Sequence, residues 1–311
     1  MDLQLAITVA TVLLNLALAI AVGATLAWLW LANGASAWCS AQLCSVRRAR
    51  LSAIAAAIIA LGMLLLFVSA AMAEVPLLEA GEHARTMLTE SHFGFAWRIG
   101  MGALLAAGIL AEVLPAGQWR RTGMSLSLLA LAVFLYSRSM VSHASANGDF
   151  NAAMAADWIH LCLISVWVGE VFVSGLLTLR QQAAVQEADR ADMARYIENL
   201  STSATFALGG IFMTGLFSAW HNLGSVAGLA GNSYGTALTV KLGMVVLAVL
   251  LGTFNRFIVM PSLLARLRNP GQQTSAELGR FTSVLRIEAV VLLGVLVAAA
   301  VLSATSPPTA A

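Results

Sequence analysis

The chain has 311 residues, of which 59% are hydrophobic and 10% are charged, with a formal net charge of +2. Soluble domains carry about 25% charged residues, so this composition excludes a soluble globular enzyme, a disordered protein and a nucleic-acid-binding protein. The mean hydropathy of +0.84 indicates a polytopic membrane protein, and three cysteines in so apolar a chain exclude a disulfide scaffold.

Eight apolar stretches reach the length of about 20 residues that a helix needs to cross a bilayer. The sequence therefore predicts an all-α membrane helical bundle of eight transmembrane helices, forming a single transmembrane domain over residues 1–311. The first stretch lacks a basic start and a cleavage site, so we expect a retained helix and not a signal peptide. The predicted spans are residues 5–31, 51–73, 95–114, 123–141, 154–179, 201–221, 234–258 and 282–303.

The distribution of arginines predicts the orientation of the bundle. Alternate connections carry nearly all the loop arginines, and the remaining connections contain Arg85 alone. Basic loops stay in the cytoplasm, so we expect a multi-pass protein of the bacterial inner (plasma) membrane, with both termini and the acidic loop 74–92 in the periplasm. Within one inner connection, the alternation of charged and apolar residues predicts a short surface helix over residues 182–197.

All five histidines fall on the predicted periplasmic side. His83 and His92 lie in the loop 74–92, His143 follows the fourth span, and His221 closes the sixth. His160 lies roughly 9 Å inside the fifth span, at 1.5 Å per residue. An ionisable residue at membrane depth is a functional candidate because burying it there is costly.

Helical spacing places Asp157 and His160 on one face of the fifth span. Asp157 then has two possible roles: it hydrogen-bonds His160 and fixes its tautomer, or it joins His160 as a metal ligand. A third possibility competes with both, because Lys241 lies at a similar depth in the seventh span and could form an ion pair with Asp157.

Methionines accompany the histidines near the predicted periplasmic surface. Met140 and His143 are three residues apart and share a face if the fourth helix extends that far. Thioether and imidazole together suit copper, although a single methionine more commonly fills a helix interface. The other methionines near this surface are Met72, Met87 and Met154.

Two further groups lie on or near the predicted cytoplasmic side. Cys39 and Cys44 occupy a predicted loop, where they either receive Cu(I) as thiolates or are unrelated reduced cysteines. Glu170 and Glu288 lie in the inner half of the bundle, where they either pair with Arg256 and Arg286 or line an ion path through Glu170.

Several ordered motifs resemble the copper resistance protein D (CopD/PcoD) family. They cover the latter half of the chain densely, and we place a CopD-like core at about residues 123–304. One departure is Glu170, which follows a Trp-x-Gly motif where a small residue is expected. The motifs are SHFGFAWR at 91–98, SHASA at 142–146, DWIHLCLISVWVGE at 157–170, NSYGTALTVKLG at 232–243, FNR at 254–256 and RIEAVVLLG at 286–294.

The resemblance implies a non-enzymatic protein that transports copper ions, Cu(I) or Cu(II), across the inner membrane. The expected direction is import from the periplasm, which would contribute to copper homeostasis and resistance. It also implies a periplasmic copper-binding partner of the CopC type. The family motifs carry His143 and His160 over as metal ligands, and the topology adds His221 and His92. We expect Asp157 and Met140 to assist these histidines in binding the metal ion.

Two alternative functions remain open from the sequence. In the first, the loop 74–92, with its four glutamates and two histidines, docks a periplasmic copper chaperone or senses metal without transporting it. In the second, histidines on neighbouring helices ligate haem, and the protein carries electrons. The second requires two imidazoles facing one another at equal depth, whereas His160 lies deeper than His143 and His221.

Overall fold

The computed structural model describes residues 2–114, 117–180, 185–223 and 233–303, and the described residues contain helices and no strands. The side chains of residues 118, 143, 147, 219–223, 233 and 234 lie outside this description. The long helices are α1 (Leu3–Leu31), α2 (Ala37–Ala73), α3 (Ala80–Glu90), α4 (His92–Val113), α5 (Gln118–Ser139), α6 (Ala152–Val173), α7 (Arg190–Leu223), α8 (Ser233–Phe254), α9 (Met260–Arg268) and α10 (Ser275–Ser303).

Among the described residues, seven helical segments are long and apolar enough to cross a membrane. They comprise α1, α2, α4, α6, α7, α10 and the continuous segment formed by α8, a π-helical turn at Asn255–Val259, and α9. The predicted span 123–141 is also helical, as α5, but it is not among the seven. Four serines and three arginines make α5 less apolar than the others.

Side-chain caps fix the starts of several of these helices. The side chains of Asp2, Ser36, Ser91 and Asn151 each accept a hydrogen bond from a backbone N–H in the first turn of the following helix. Such caps satisfy backbone donors that the helix itself leaves free. The cap at Ser36 starts α2 fourteen residues before the predicted span that begins at residue 51.

Two segments differ from their predicted structure. The expected loop 74–92 contains a 3₁₀ turn at Leu77–Glu79 and all of α3. The expected short surface helix over 182–197 is wrong, because a 3₁₀ turn at Glu187–Asp189 leads directly into α7, which continues to Leu223. Residues 181–184 lie outside the described part.

Helices α1 and α6 cross in backbone contact. A Cβ atom built on Gly23 would lie 2.1 Å from the carbonyl carbon of Gly169, and one built on Gly169 would lie 1.9 Å from the Ala19 oxygen. Glycines allow this approach because they have no side chain to separate the helices. The glycine of the Trp-x-Gly motif therefore fixes α6 against α1.

Two ends of the bundle can be distinguished. At the terminal end, α1 begins and α10 ends; at the arginine end lie the basic connections. Arg50, fully buried at the arginine end, donates to Glu112 Oε1 at 2.5 Å and to the Ala107 oxygen at 3.1 Å, which ties α2 to α4. Arg47 contacts the same Glu112 carboxylate at 2.6 Å.

Candidate functional site

A cavity of about 330 Å³ lies at the terminal end of the bundle. It is bounded by α1, α5, α6, α7, α8 and α10, so it occupies the interior of the helix bundle and not one external groove. Its described lining contains a cluster of ionisable side chains within an otherwise apolar and hydroxyl-bearing wall. Those side chains are Arg138, Asp157, His160 and Lys241.

His160 is held by a threonine on the facing helix. Its Nδ1 lies 2.9 Å from the Thr214 hydroxyl oxygen, and that hydroxyl lies 2.7 Å from the Gly210 carbonyl oxygen. Because a hydroxyl has one proton and a carbonyl can only accept, Thr214 donates to Gly210 and accepts from the Nδ1–H of His160. In the neutral imidazole, this assignment leaves the His160 Nε2 lone pair available for a metal ion.

Asp157 does not provide this hydrogen bond to His160. Its Oδ2 accepts from the Ser142 hydroxyl at 3.1 Å. Asp157 also interacts electrostatically with His160, Lys241 and Arg138. The tautomer of His160 is therefore fixed by Thr214, whereas the sequence analysis considered Asp157 for that role.

Asp157 and Lys241 both line the cavity and interact electrostatically, but the ion pairs found among the described residues do not include this pair. A second cation on the same cavity wall, Arg138, was not among the predicted site residues. Its position inside the predicted span 123–141 already marked it as a candidate, because a charged residue at membrane depth is costly. Nothing in the sequence indicated a role for Thr214, since a threonine within an apolar helix commonly bonds only its own backbone.

Met140 and His143 do not lie on one face of a single helix. Helix α5 ends at Ser139 with Met140 as its C-cap, and His143 begins a separate 3₁₀ turn. Met140 is 3% exposed and packs with Ala96 and Met154. The condition for a shared face, that the fourth helix extend through His143, is therefore not met.

The other histidines predicted as metal ligands are His92, His143 and His221. His92 is the first residue of α4, and its Nε2 lies 2.9 Å from Asp149 Oδ2 at an exposed position outside the cavity lining. The side chains of His143 and His221 lie outside the described part of the structure. Within that described part, no group of three or more His, Cys, Asp or Glu side chains is arranged to hold a metal ion.

A second cavity, of about 170 Å³, lies further toward the arginine end and is bounded by α6, α7, α8, α9 and α10. Glu288 lines it and accepts a hydrogen bond at 3.0 Å from the Trp167 indole N–H. Glu170, also buried, accepts a 2.5 Å hydrogen bond from Ser203. Buried carboxyl groups therefore occur on two of the helices that also line the first cavity.

The expected pairing of these glutamates with arginines is wrong within the described residues. Arg256 donates to the Ser201 backbone oxygen and hydroxyl, and Arg286 donates to the Gly175 oxygen at 3.0 Å. The ion pairs found among the described residues include neither Glu170 nor Glu288. Glu170 and Glu288 therefore accept hydrogen bonds from a serine hydroxyl and a tryptophan indole, respectively, and not from guanidinium groups.

Cys39 and Cys44 do not form a paired site. Both lie on α2 and not in a loop; Cys39 is 2% exposed, whereas Cys44 is exposed. The Cys39 sulfur lies 3.6 Å from Asp192 Oδ2. Five residues of α-helix rotate a side chain by about 140° relative to the first, so the two thiols point in different directions.

The fold and cavity define a class of polytopic helical membrane protein with an ionisable cavity inside the bundle. Two family models match the chain: "Copper resistance protein D-like, N-terminal domain" over residues 1–153 and "Copper resistance protein D" over residues 193–302. Together they account for most of the sequence. The chain belongs to the copper resistance protein D family.

Two relatives are similar over long segments. Copper resistance protein D of Pseudomonas syringae pv. tomato is 24% identical over 221 residues, which are 70% of this chain and 70% of that protein. Copper transport protein CutJ of Bacillus subtilis (strain 168) is 26% identical over 177 residues, covering 56% of this chain but 32% of the relative. No solved structure matches the chain.

Proposed function

We propose that this protein transports copper ions across the bacterial inner membrane, from the periplasm to the cytoplasm, with copper as its substrate. The observation that carries the proposal is His160, which holds an available Nε2 on the wall of a cavity inside the bundle. The names of the two relatives, one a copper resistance protein and the other a copper transport protein, support copper as the ion.

In this proposal, copper binds first in the cavity at the terminal end. His160 and Asp157 supply two donors from the described lining. His143 is proposed as a third, because Ser142 and Ala144 on either side of it line the cavity. Imidazole binds copper in either oxidation state.

His221 completes the proposed donor set. It lies three residues beyond Ser218, which lines the cavity, on the last turn of α7. Met140 and His92 are proposed as accessory donors, Met140 from beneath the 3₁₀ turn and His92 from its exposed position beside Asp149. Both would have to move to reach a copper ion in the cavity.

The proposed route continues along α6 toward the arginine end. Helices α6, α7, α8 and α10 line both cavities, and the ion is proposed to pass between these helices from the first cavity to the second. Glu288 and Glu170 then offer carboxylate oxygens. A paired thiol acceptor at Cys39 and Cys44 is not part of this route, because their side chains point apart.

The proposed direction depends on orientation. Arginine-rich connections stay in the cytoplasm, which would place the arginine end inside the cell and the histidines in the periplasm. Helix α3, with Glu82 and His83 exposed, then faces the periplasm and is the proposed docking surface for a copper-binding protein of the CopC type.

Replacement of His160 tests the proposal. His160→Ala should abolish copper accumulation in cells and copper flux into proteoliposomes, while the amount of protein in the membrane stays unchanged. His83→Ala is the matched control for the proteoliposome flux, because His83 is exposed on α3, away from the cavity, and no docking partner is present in that assay, so flux should stay intact. Unchanged flux in His160→Ala would refute the proposal.

The proteoliposome measurement also separates transport from docking. If the unaltered protein binds copper but moves none across the bilayer, the docking or sensing function is selected instead. Loading copper on one side at a time gives the direction, since import requires flux from the terminal end toward the arginine end.

A further inference from the structure

The cavity at the terminal end carries an excess of positive charge. Its described lining contains two basic side chains, Arg138 and Lys241, and one carboxylate, Asp157. With His160 neutral and both basic side chains protonated, the described lining has a formal charge of +1. A cavity intended only for a metal cation would be expected to have the opposite sign.

Asp157 can offset only one of the two positive charges. Its Oδ2 already accepts from Ser142 at 3.1 Å. Arg138 and Lys241 each interact electrostatically with Asp157, yet neither makes a hydrogen bond or an ion pair within 4.0 Å to any described residue. Charged groups inside a membrane protein are normally paired, so a counter-charge for the second cation is missing from the described lining.

We propose that the cavity binds a small monovalent inorganic anion, with chloride as its probe, between Arg138 and Lys241. The cations come from two different helices, α5 and α8, so an anion between them would link opposite walls of the cavity. The Ser218 hydroxyl lines the same space and can donate a hydrogen bond to the anion, whereas the hydroxyl protons of Ser142 and Ser165 are already directed to other acceptors.

The cavity volume is compatible with this ligand. At about 330 Å³, it holds a monovalent ion together with several waters, each of which occupies about 30 Å³ in the liquid. The anion site does not depend on copper transport. If copper does enter the cavity, the anion offsets the repulsion that Arg138 and Lys241 exert on a metal cation.

A property of the sequence makes the site directly observable. Lys241 is the only lysine in the chain. Reductive methylation with ¹³C-formaldehyde therefore labels Lys241 and the N-terminal amine alone, and a dimethylated lysine keeps its positive charge. The Lys241→Arg variant, which loses the lysine signal, assigns the two resonances.

The experiment is a chloride titration of the labelled, copper-free protein in detergent, with gluconate exchanged for chloride at constant ionic strength. The Lys241 methyl resonance should shift and saturate, and the N-terminal resonance should not. Arg138→Gln should weaken the chloride affinity by at least about tenfold, because a unit charge adjacent to the ion is lost. Arg138→Lys should retain the saturable shift.

Arg121→Gln is the matched control, because Arg121 lies on the same helix α5 but is exposed at the arginine end. Its affinity for chloride should equal that of the unaltered protein. A Lys241 shift that rises linearly without saturation, or an Arg138→Gln variant with unchanged affinity, would overturn the proposal. Since no copper is present, neither result bears on copper transport.

Discussion

Thr214 on α7 fixes the tautomer of His160 on α6: His160 Nδ1 donates to the threonine hydroxyl over 2.9 Å, and the hydroxyl donates in turn to the Gly210 carbonyl. In the neutral imidazole, this arrangement leaves Nε2 of His160 without a proton. A metal-binding imidazole is commonly held in this way by a partner on its other nitrogen.

Removing the threonine hydroxyl should therefore weaken copper binding without unfolding the protein. Thr214→Val keeps the shape of the side chain and should lower copper affinity by about 10- to 100-fold, measured by competition with a copper chelator. Thr239→Val is the control, because Thr239 also bonds its own helix, through Gly235, but is not in the cavity lining. Equal affinities in the two variants would contradict the assigned role of Thr214.

The contact between α1 and α6 predicts intolerance of any side chain at Gly169. Gly169→Ala would place a Cβ atom 1.9 Å from the Ala19 oxygen, so the helices must separate. Overpacking of this kind destabilises by about 1–3 kcal/mol, which should appear as a lower thermal unfolding temperature in detergent.

The matching control is Gly62→Ala on α2. A Cβ atom there would meet nothing within 4 Å, and alanine favours a helix by up to about 1 kcal/mol over glycine. Its unfolding temperature should stay level or rise. A Gly169→Ala protein as stable as Gly62→Ala would show that α1 and α6 are not in backbone contact.

The buried guanidinium of Arg50 predicts a stability cost at Glu112. Glu112→Gln removes the charge opposite Arg50, which is 0% exposed at its side chain, and should destabilise by on the order of 2 kcal/mol. Glu187→Gln should cost under about 1 kcal/mol, because Glu187 is 60% exposed and Arg190 keeps its carbonyl acceptors. Denaturant unfolding of both variants compares them; equal losses would be the contrary result.

Cys44 provides a test of the proposed orientation. It is exposed on α2 at the arginine end, whereas Cys39 is 2% exposed. A membrane-impermeant maleimide should label the protein in inside-out vesicles and not in intact spheroplasts. Cys44→Ser should abolish the labelling. Labelling of spheroplasts would place the arginine end in the periplasm and reverse the proposed direction of transport.

Hydropathy alone predicted the positions of the helices, because a lipid environment requires long apolar stretches with internally bonded backbones. It missed α3, which is amphipathic and short, and the early start of α2 at Ala37. Both lie outside the apolar stretches, where helix formation depends on caps and on packing against neighbouring helices.

The candidate site was predicted only in part. The spacing of Asp157 and His160 on one helix, and the depth of Lys241, were enough to bring these residues into one cavity. The partners that hold them, Thr214 and Ser142, come from other elements and depend on how the helices are rotated against one another. Sequence spacing reports faces within one helix and contains no information about such rotations.

If the proposed transport works by alternation between two open states, the glycine crossing limits how the helices can move. Where Gly23 meets Gly169, α1 and α6 are interlocked at backbone level and must move as one rigid body. His160 travels with that body. Lys241 belongs to α8, on the opposite wall, so rocking of α8 past the α1–α6 unit would change the distance between the imidazole and the ammonium group and thereby gate the cavity.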